Sequence, residues 1–260
     1  MHSGTLGEAL WHSLLAGGVG TGLGAVPVLF VRSITARMES LLAGFSAGVM
    51  LAASFVGLLL PALEQARTGN QASPFATWPV LLGTALGAFA IDQLHRRVPH
   101  QHFQKGEENT NRSRLSRVWL FAIALALHNV PEGLAVGVGV ASGDALVSWP
   151  VTLSIAVQNV PEGLIVAVAF LAAGERKATA LWVTLATGLV EPLGAALGFL
   201  AVQLVAGVMP AALAFAAGAM LYVVSHEIIP ESHREGRSAV ATFGLVVGVL
   251  VMLQFDAWLG

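Results

Sequence analysis

Cysteine is absent from this 260-residue sequence, and charged residues are scarce. Without cysteine the chain has no disulfide framework and no thiolate metal site, so any bound metal must use His, carboxylate, amide or Met ligands. Charged residues make up 11% of the chain, whereas soluble domains carry roughly a quarter. The formal net charge of −2 gives no general attraction to nucleic acid. The composition therefore excludes a nucleic-acid binder, a disordered chain and an ordinary soluble enzyme.

Long apolar runs dominate the sequence instead, since hydrophobic residues make up 55% of it. A helix needs about 20 mostly apolar residues to cross a lipid bilayer. Eight such runs predict an all-α, polytopic membrane protein, in which residues 1–260 form a single transmembrane domain. The predicted spans are 11–31, 39–63, 75–93, 118–141, 148–173, 179–204, 208–230 and 238–258. Small residues spaced four apart, such as Gly83 and Gly87, predict close helix packing in this eight-helix bundle.

The basic residues predict the orientation of the bundle. With the N-terminus outside, every Lys and Arg except Arg67 falls on the inner side, as the positive-inside rule requires. Both termini are therefore predicted to be external. The one long polar loop, residues 94–117, is then cytoplasmic. Its histidines, His95, His100 and His102, suit either a solvated loop or a loop that collects metal ions weakly.

A polar motif occurs in span 4 and again, one span later, in span 5. The two copies are His128-Asn129-Val130-Pro131-Glu132-Gly133 and Gln158-Asn159-Val160-Pro161-Glu162-Gly163. Consecutive spans run in opposite directions, so the copies form an inverted repeat, which is typical of transporters. His128 and Glu132 are one turn apart and share a helix face, as do Gln158 and Glu162. The proline in each copy lacks an N–H and predicts a kink in its span.

Apart from acidic residues within two positions of a span end, the predicted spans contain four carboxylates, at Glu132, Glu162, Glu191 and Glu227. Counting residues places His128, Gln158 and Glu191 roughly 15–18 Å deep, near the middle of the bilayer. No Lys or Arg lies at that depth, so the carboxylates need protons or cations. Imidazole, amide and carboxylate ligands together favour Zn²⁺ and other first-row divalent ions over Mg²⁺ or Ca²⁺. A proton pathway and an inert set of packing residues are the alternatives.

The paired motifs resemble those of the ZIP (Zrt/Irt-like protein) family of divalent metal transporters, and more closely its bacterial GufA-like branch. The resemblance extends over essentially the whole chain. It implies a carrier that moves Zn²⁺, and also Cd²⁺, Fe²⁺ or Mn²⁺, into the cytoplasm by an elevator-like motion. It also implies a homodimer in the lipid bilayer of a bacterial inner membrane, without enzymatic chemistry.

The resemblance further implies a binuclear metal centre between spans 4, 5 and 6. The main site would use His128, Glu132, Gln158 and Glu162, and Met50 of span 2 could add a thioether ligand. A second site would use Asn129, Asn159 and Glu191, with Glu132 and Glu162 bridging the two metals. Some relatives carry Asp where this chain has Asn159, and an amide binds a divalent ion less tightly than a carboxylate.

Further polar residues lie toward the inner face. The resemblance implies an exit station for the metal at His226 and Glu227, while Asp92 beside Arg96 predicts an interfacial ion pair. An intramembrane metalloprotease would need His-Glu-x-x-His, but His226-Glu227 is followed by Ile-Ile-Pro. A metal sensor and a proton-coupled channel remain alternatives to a carrier.

Overall fold

The computed structural model describes residues 4–31, 33–69, 75–97, 114–205, 207–233 and 238–259. Every regular element in these ranges is a helix, and none of them contains a strand, which confirms the all-α expectation. Most of the loop 94–117, including His100 and His102, lies outside the described residues. Its role in collecting metal therefore stays a prediction.

Eight apolar helices follow one another along the described chain. We number them α1 (Leu6–Leu29), α2 (36–69), α3 (Trp78–Arg97), α4 (Arg114–Ala141), α5 (Ala145–Ala172), α6 (Lys177–Leu204), α7 (209–232) and α8 (Ser238–Leu259). Within the described ranges, seven of them are long and apolar enough to cross a membrane, and the apolar part of α3, Trp78–Leu94, is shorter. A membrane protein with several helical spans is thus confirmed. The eighth crossing, the orientation and the external termini stay predictions.

Side-chain caps fix where several helices begin. The Thr5 hydroxyl and the Glu8 carboxylate form a capping box at the start of α1. Asp144 accepts a hydrogen bond from the Leu146 N–H at 2.9 Å, so α5 begins three residues before the predicted span at 148. A search for apolar runs does not detect this helix start, because the residue that caps the helix is a polar aspartate.

Several helices depart from α geometry along part of their length. Parts of three helices are π-helical, namely Leu14–Thr21 of α1, Ala53–Leu59 of α2 and Val224–Ile228 of α7. Helix α6 is interrupted between Gly188 and Glu191. Such irregularities are frequent at functional sites, because they redirect side chains and leave backbone groups available. Pro131 and Pro161 lie inside α4 and α5, and the kinks expected there stay predictions.

In five helix pairs of the described chain, the helices lie so close that a glycine contacts the main chain of the partner helix, and one of these pairs is α1–α6 through Gly17 and Gly188. In the pair α3–α7, a Cβ atom at Gly87 would lie 2.0 Å from the Phe215 carbonyl oxygen, and Gly83 faces Ala211 similarly. This confirms the close packing expected from Gly83 and Gly87. The equivalent contacts are Gly24–Val160 in α1–α5, Gly48–Leu245 in α2–α8 and Gly137–Ala195 in α4–α6.

The apolar core consists of two clusters. The larger one joins α2, α3 and α7 to the C-terminal half of α4 and the N-terminal half of α5. The smaller one joins the C-terminal parts of α1 and α5 to the N-terminal parts of α4 and α6, and it includes Val28, Val118, Leu125, Phe170 and Ala180. The buried polar residues of α4, α5 and α6 lie between these apolar regions.

Candidate metal centre

The polar motifs of α4 and α5 are buried in the middle of the bundle. The side chains of Glu132, Gln158, Asn159 and Glu191 are fully buried, and His128, Asn129 and Glu162 are at most 6% exposed. Each motif lies on an uninterrupted stretch of helix, so its first and fifth residues share a face. Burial of this many polar groups requires partners, because an unpaired polar group in an apolar interior is costly.

Pairwise interactions connect the four residues predicted for the main site. The Glu132 carboxylate interacts electrostatically with Gln158, Glu162 and Glu191. Glu162 in turn interacts with His128. The fold therefore brings α4, α5 and α6 together at one charged centre, as the depth of the motifs suggested.

Helix α2 contributes a residue that the sequence analysis missed. The Ser46 hydroxyl is fully buried and donates a hydrogen bond to Oε1 of Glu162. Met50 follows one turn later on the same face of α2, and it is fully buried. A lone serine among alanines and glycines carries no sequence signal, so only the packing of α2 on α5 reveals the contact. The thioether of Met50 stays a predicted ligand.

The second predicted site is held by amide hydrogen bonds. The Asn159 amide donates to Oε1 of Glu191 at 2.6 Å and to the Ala16 carbonyl at 3.1 Å. The Asn129 amide donates to the Thr187 carbonyl at 2.7 Å. Both asparagines thus donate side-chain hydrogen bonds to other groups of the protein. Their carbonyl oxygens stay available to a cation.

Glycine makes room for the carboxylate of Glu191. A Cβ atom at Gly17 would lie 2.5 Å from the Cδ atom of Glu191. A Cβ atom at Gly133 would lie 2.0 Å from the Glu191 carbonyl oxygen. Because any larger residue would collide at either position, α1 and α4 can close on Glu191 from two sides only through these glycines.

Many polar atoms of the centre have no hydrogen-bond partner among the described residues. They are both oxygens of Glu132, both side-chain polar atoms of Gln158, Oε2 of Glu162, Oε2 of Glu191, Oδ1 of Asn129 and Oδ1 of Asn159. All but one are oxygens, so a cation would satisfy them. Within the described ranges, no three His or acidic side chains converge closely enough to hold an ion by themselves. A metal bound here must therefore also use amide oxygens, or draw the side chains inward.

The predicted exit station is divided between two environments. Oε2 of Glu227 lies 2.6 Å from Nε2 of His128, so the Glu227 carboxylate reaches the metal centre from α7. His226 is exposed, and its ring stacks on Tyr222 with centroids 5.1 Å apart. The two residues are adjacent in sequence, yet one faces the centre and the other faces away from it.

Tyr222 also connects α7 to α3. Its hydroxyl donates to Oδ1 of Asp92 at 2.9 Å, and Oδ2 of Asp92 pairs with Nε of Arg96 at 2.8 Å. The predicted ion pair at this end of α3 is thus confirmed. The Asp92 carboxylate raises the pKa of the exposed Arg96 guanidinium by hydrogen bonding and charge attraction.

Apolar helices around buried oxygens that lack partners define a membrane-embedded cation-binding protein. The family model described as ZIP Zinc transporter matches residues 93–256. Zinc transporter GufA of Myxococcus xanthus is 42% identical over 98% of this chain and 100% of its own length. Zinc transporter ZIPB of Bordetella bronchiseptica is 44% identical over 96% of this chain and 82% of its own, and zinc transporter ZIP11 of Homo sapiens is 32% identical over 92% and 94%.

The chain belongs to the ZIP zinc transporter family. The resemblance recognised from the paired motifs is thereby confirmed. The family is one of transporters rather than enzymes, which also confirms the expectation that the chain carries out no enzymatic reaction.

Proposed function

We propose that this protein carries Zn²⁺ across the membrane into the cytoplasm through the buried centre of α4, α5 and α6. The observation that carries the proposal is the set of buried oxygens without partners, on helices that bring four carboxylates to one region. Zinc is the first choice of cargo because the relatives are named zinc transporters and because the ligands are mixed N and O donors. Cd²⁺, Fe²⁺ and Mn²⁺ fit the same ligand set.

Two adjoining metal sites suit this arrangement. The main site takes His128, Glu132, Gln158 and Glu162, with Met50 as an additional ligand. The second site takes Asn129, Asn159 and Glu191. Glu132 and Glu162 bridge the two metals, and Asn159 makes the second site the weaker one because its ligand atom is neutral. Glu227 lies within reach of His128 and accepts the ion on its way to the inner face, with His226 beyond it.

The packing of the helices supports a carrier with two parts. Glycine contacts join α1 to α5 and α4 to α6, and separately join α2 to α8 and α3 to α7. Two side-chain links cross between these groups at the centre, Ser46 to Glu162 and His128 to Glu227. A metal bound by His128 and Glu162 would replace both links. Loading the site would thereby loosen one group from the other and permit an elevator-like movement.

The proposal includes eight crossings, external termini, a cytoplasmic loop at 94–117 and a homodimer in a bacterial inner membrane. The seven long apolar helices and the apolar α3 support the number of crossings. The distribution of Lys and Arg in the sequence supports the orientation.

Zinc uptake into proteoliposomes tests the proposal. The wild-type protein should give saturable uptake of Zn²⁺ and Cd²⁺, and the double variant His128→Ala/Glu132→Ala should lose it. Glu64→Ala, an exposed acidic position on α2, is the matched control and should transport normally. Tight zinc binding without uptake would favour a metal sensor, and uptake that never saturates would favour a channel.

A further inference from the structure

Two buried threonines beside the interruption of α6 leave their hydroxyl groups unpaired. Thr21 is 1% exposed and Thr184 is fully buried, and neither hydroxyl has a partner among the described residues. Other hydroxyls within the helices donate back to the carbonyl four residues earlier, namely Ser54 to Met50, Thr84 to Val80 and Thr152 to Ser148. Since this local bond is available to any helical threonine, its absence at Thr21 and Thr184 points to another ligand.

The two threonines lie where α1 and α6 are in contact. A Cβ atom at Gly188 would lie 2.3 Å from the Gly17 carbonyl oxygen and 2.7 Å from Oγ1 of Thr21. Farther along α1, Gly22 meets Leu185, so the two helices run antiparallel. Thr21 lies one turn after Gly17, and Thr184 lies one turn before Gly188. Both threonines therefore project from the facing sides at the same level.

Three more oxygens adjoin the threonines. Oδ1 of Asn129 has no partner among the described residues, while its amide is anchored to Thr187, three residues after Thr184. Pro192 lacks an N–H, so it cannot bond the Gly188 carbonyl as a residue at that position of a helix normally would. The Glu191 carboxylate lies beside Gly17 through Oε1, and its other oxygen, Oε2, is unpaired among the described residues. The group thus offers hydroxyl, amide and carbonyl oxygens next to one carboxylate.

Apolar residues cover the two threonines on the side away from the candidate metal centre. One turn farther from the centre, Ala25 and Val28 of α1 pack with Ala180 of α6 and Leu125 of α4 in the smaller apolar cluster. A ligand of the two threonines is therefore enclosed by protein. It lies beside Glu191 rather than in open solvent.

The charge of the centre favours a cation at this position. Glu132, Glu162, Glu191 and Glu227 are all buried, and no Lys or Arg whose side chain the structure describes is buried with them. One divalent ion in the main site balances two of these negative charges. Residue 159 carries a neutral amide rather than a carboxylate, so it attracts a second divalent ion less strongly. A monovalent cation next to Glu191 would reduce the remaining negative charge.

We propose that Thr21, Thr184 and Asn129, beside Glu191, form a binding site for an alkali-metal cation. Hard monovalent cations accept neutral oxygen ligands, and broken helices in transporters present such oxygens to coupling ions. The site shares Asn129 and Glu191 with the proposed second metal site, so an alkali cation bound here excludes a second divalent ion. It offers no imidazole or sulfur, which sets it apart from the zinc ligands around His128. The proposal goes beyond zinc transport, since cation binding here does not require that zinc be carried.

Equilibrium binding of radioactive Na⁺ to the purified full-length chain tests this site. The measurement uses a chelator to remove divalent ions and choline chloride to hold the ionic strength, with K⁺ as a competitor in a second arm. Wild-type protein should bind Na⁺ or K⁺ saturably. Thr21→Val and Thr184→Val should each weaken binding by about tenfold through the loss of one oxygen ligand. Thr84→Val, whose hydroxyl bonds to its own helix, is the matched control and should bind normally.

Two outcomes would overturn the proposal. Absence of saturable alkali-cation binding in the wild type would show that the oxygens hold water only. Normal binding by both valine variants would place the cation elsewhere. Thr21→Ser and Thr184→Ser keep the hydroxyl and should keep binding, which guards against valine variants that fail to fold. Na⁺ binding without zinc uptake would contradict only the proposed function, and zinc uptake without alkali binding would contradict only this site.

Discussion

Replacing Asn159 by aspartate should destabilise the metal-free protein and strengthen its hold on zinc. The Asn159 amide now donates to Glu191 at 2.6 Å and to the Ala16 carbonyl. Aspartate would remove both hydrogen bonds and set two carboxylates against each other. At 2.6 Å and an effective dielectric constant of about 20, two full charges repel by about 6 kcal/mol. Because a shared proton limits that repulsion, we expect a loss of at least about 2 kcal/mol in the free energy of unfolding.

A second Zn²⁺ would recover this energy, since it would sit between the two carboxylates. Recovery of 2–3 kcal/mol corresponds to about a hundredfold tighter second site. Thermal unfolding without and with zinc measures the first effect, and isothermal titration calorimetry measures the second. Gln254→Glu makes the same amide-to-carboxylate change at an exposed position of α8 and should alter neither. Unchanged metal-free stability together with unchanged zinc stoichiometry would refute the placement of Asn159 at a cation site.

Three further substitutions test separate parts of the centre. Glu162→Ala should abolish zinc uptake in proteoliposomes, because this carboxylate is proposed to contact both metals, and wild-type rates would contradict a binuclear centre. Ser46→Ala should lower the metal-free stability by about 1.5–3 kcal/mol and tighten zinc binding by about tenfold, since Glu162 loses its partner only in the metal-free state. Weaker binding in titrations would instead show that Ser46 positions Glu162 for the metal. Gly133→Ala should cost about 1–3 kcal/mol in thermal unfolding, because a Cβ there would lie 2.0 Å from the Glu191 carbonyl oxygen. Gly139→Ala, with its nearest neighbour 3.6 Å away, is the control, and equal losses would contradict the packing argument.

The membrane helices were predictable because apolar runs are a local property of the sequence. The predicted span 118–141 coincides with the apolar stretch Val118–Ala141, and 238–258 coincides with Ser238–Trp258. The prediction was less accurate where capping or helix type decides the boundary. Helix α2 continues to Gly69, beyond the predicted end at 63. Its last turns are helical but polar, so the apolar run used for the prediction ends before the helix does.

The burial of the candidate ligands on α4 and α5 at one level was predictable, because each pair lies on one helix face and the motif repeats in the next span. Contacts between distant helices gave no such signal. Ser46 and Glu162 are far apart in the sequence, and so are His128 and Glu227, yet both pairs meet at the centre. The sequence likewise gave no signal for Thr21, because its contact with Gly188 joins two distant parts of the chain.

The buried charge explains why these long-range contacts converge on the ligands. A carboxylate in the middle of an apolar bundle must have a partner in every state of the protein. Ser46 contacts Glu162 and Glu227 contacts His128, and both Ser46 and Glu227 belong to the helix group that carries no repeated motif. A cation held by side chains of the other helix group, which includes α4 and α5, would also partner these buried side chains. We therefore expect the exchange of one kind of partner for the other to link occupancy of the centre to the contact between the two groups, whichever ion is bound.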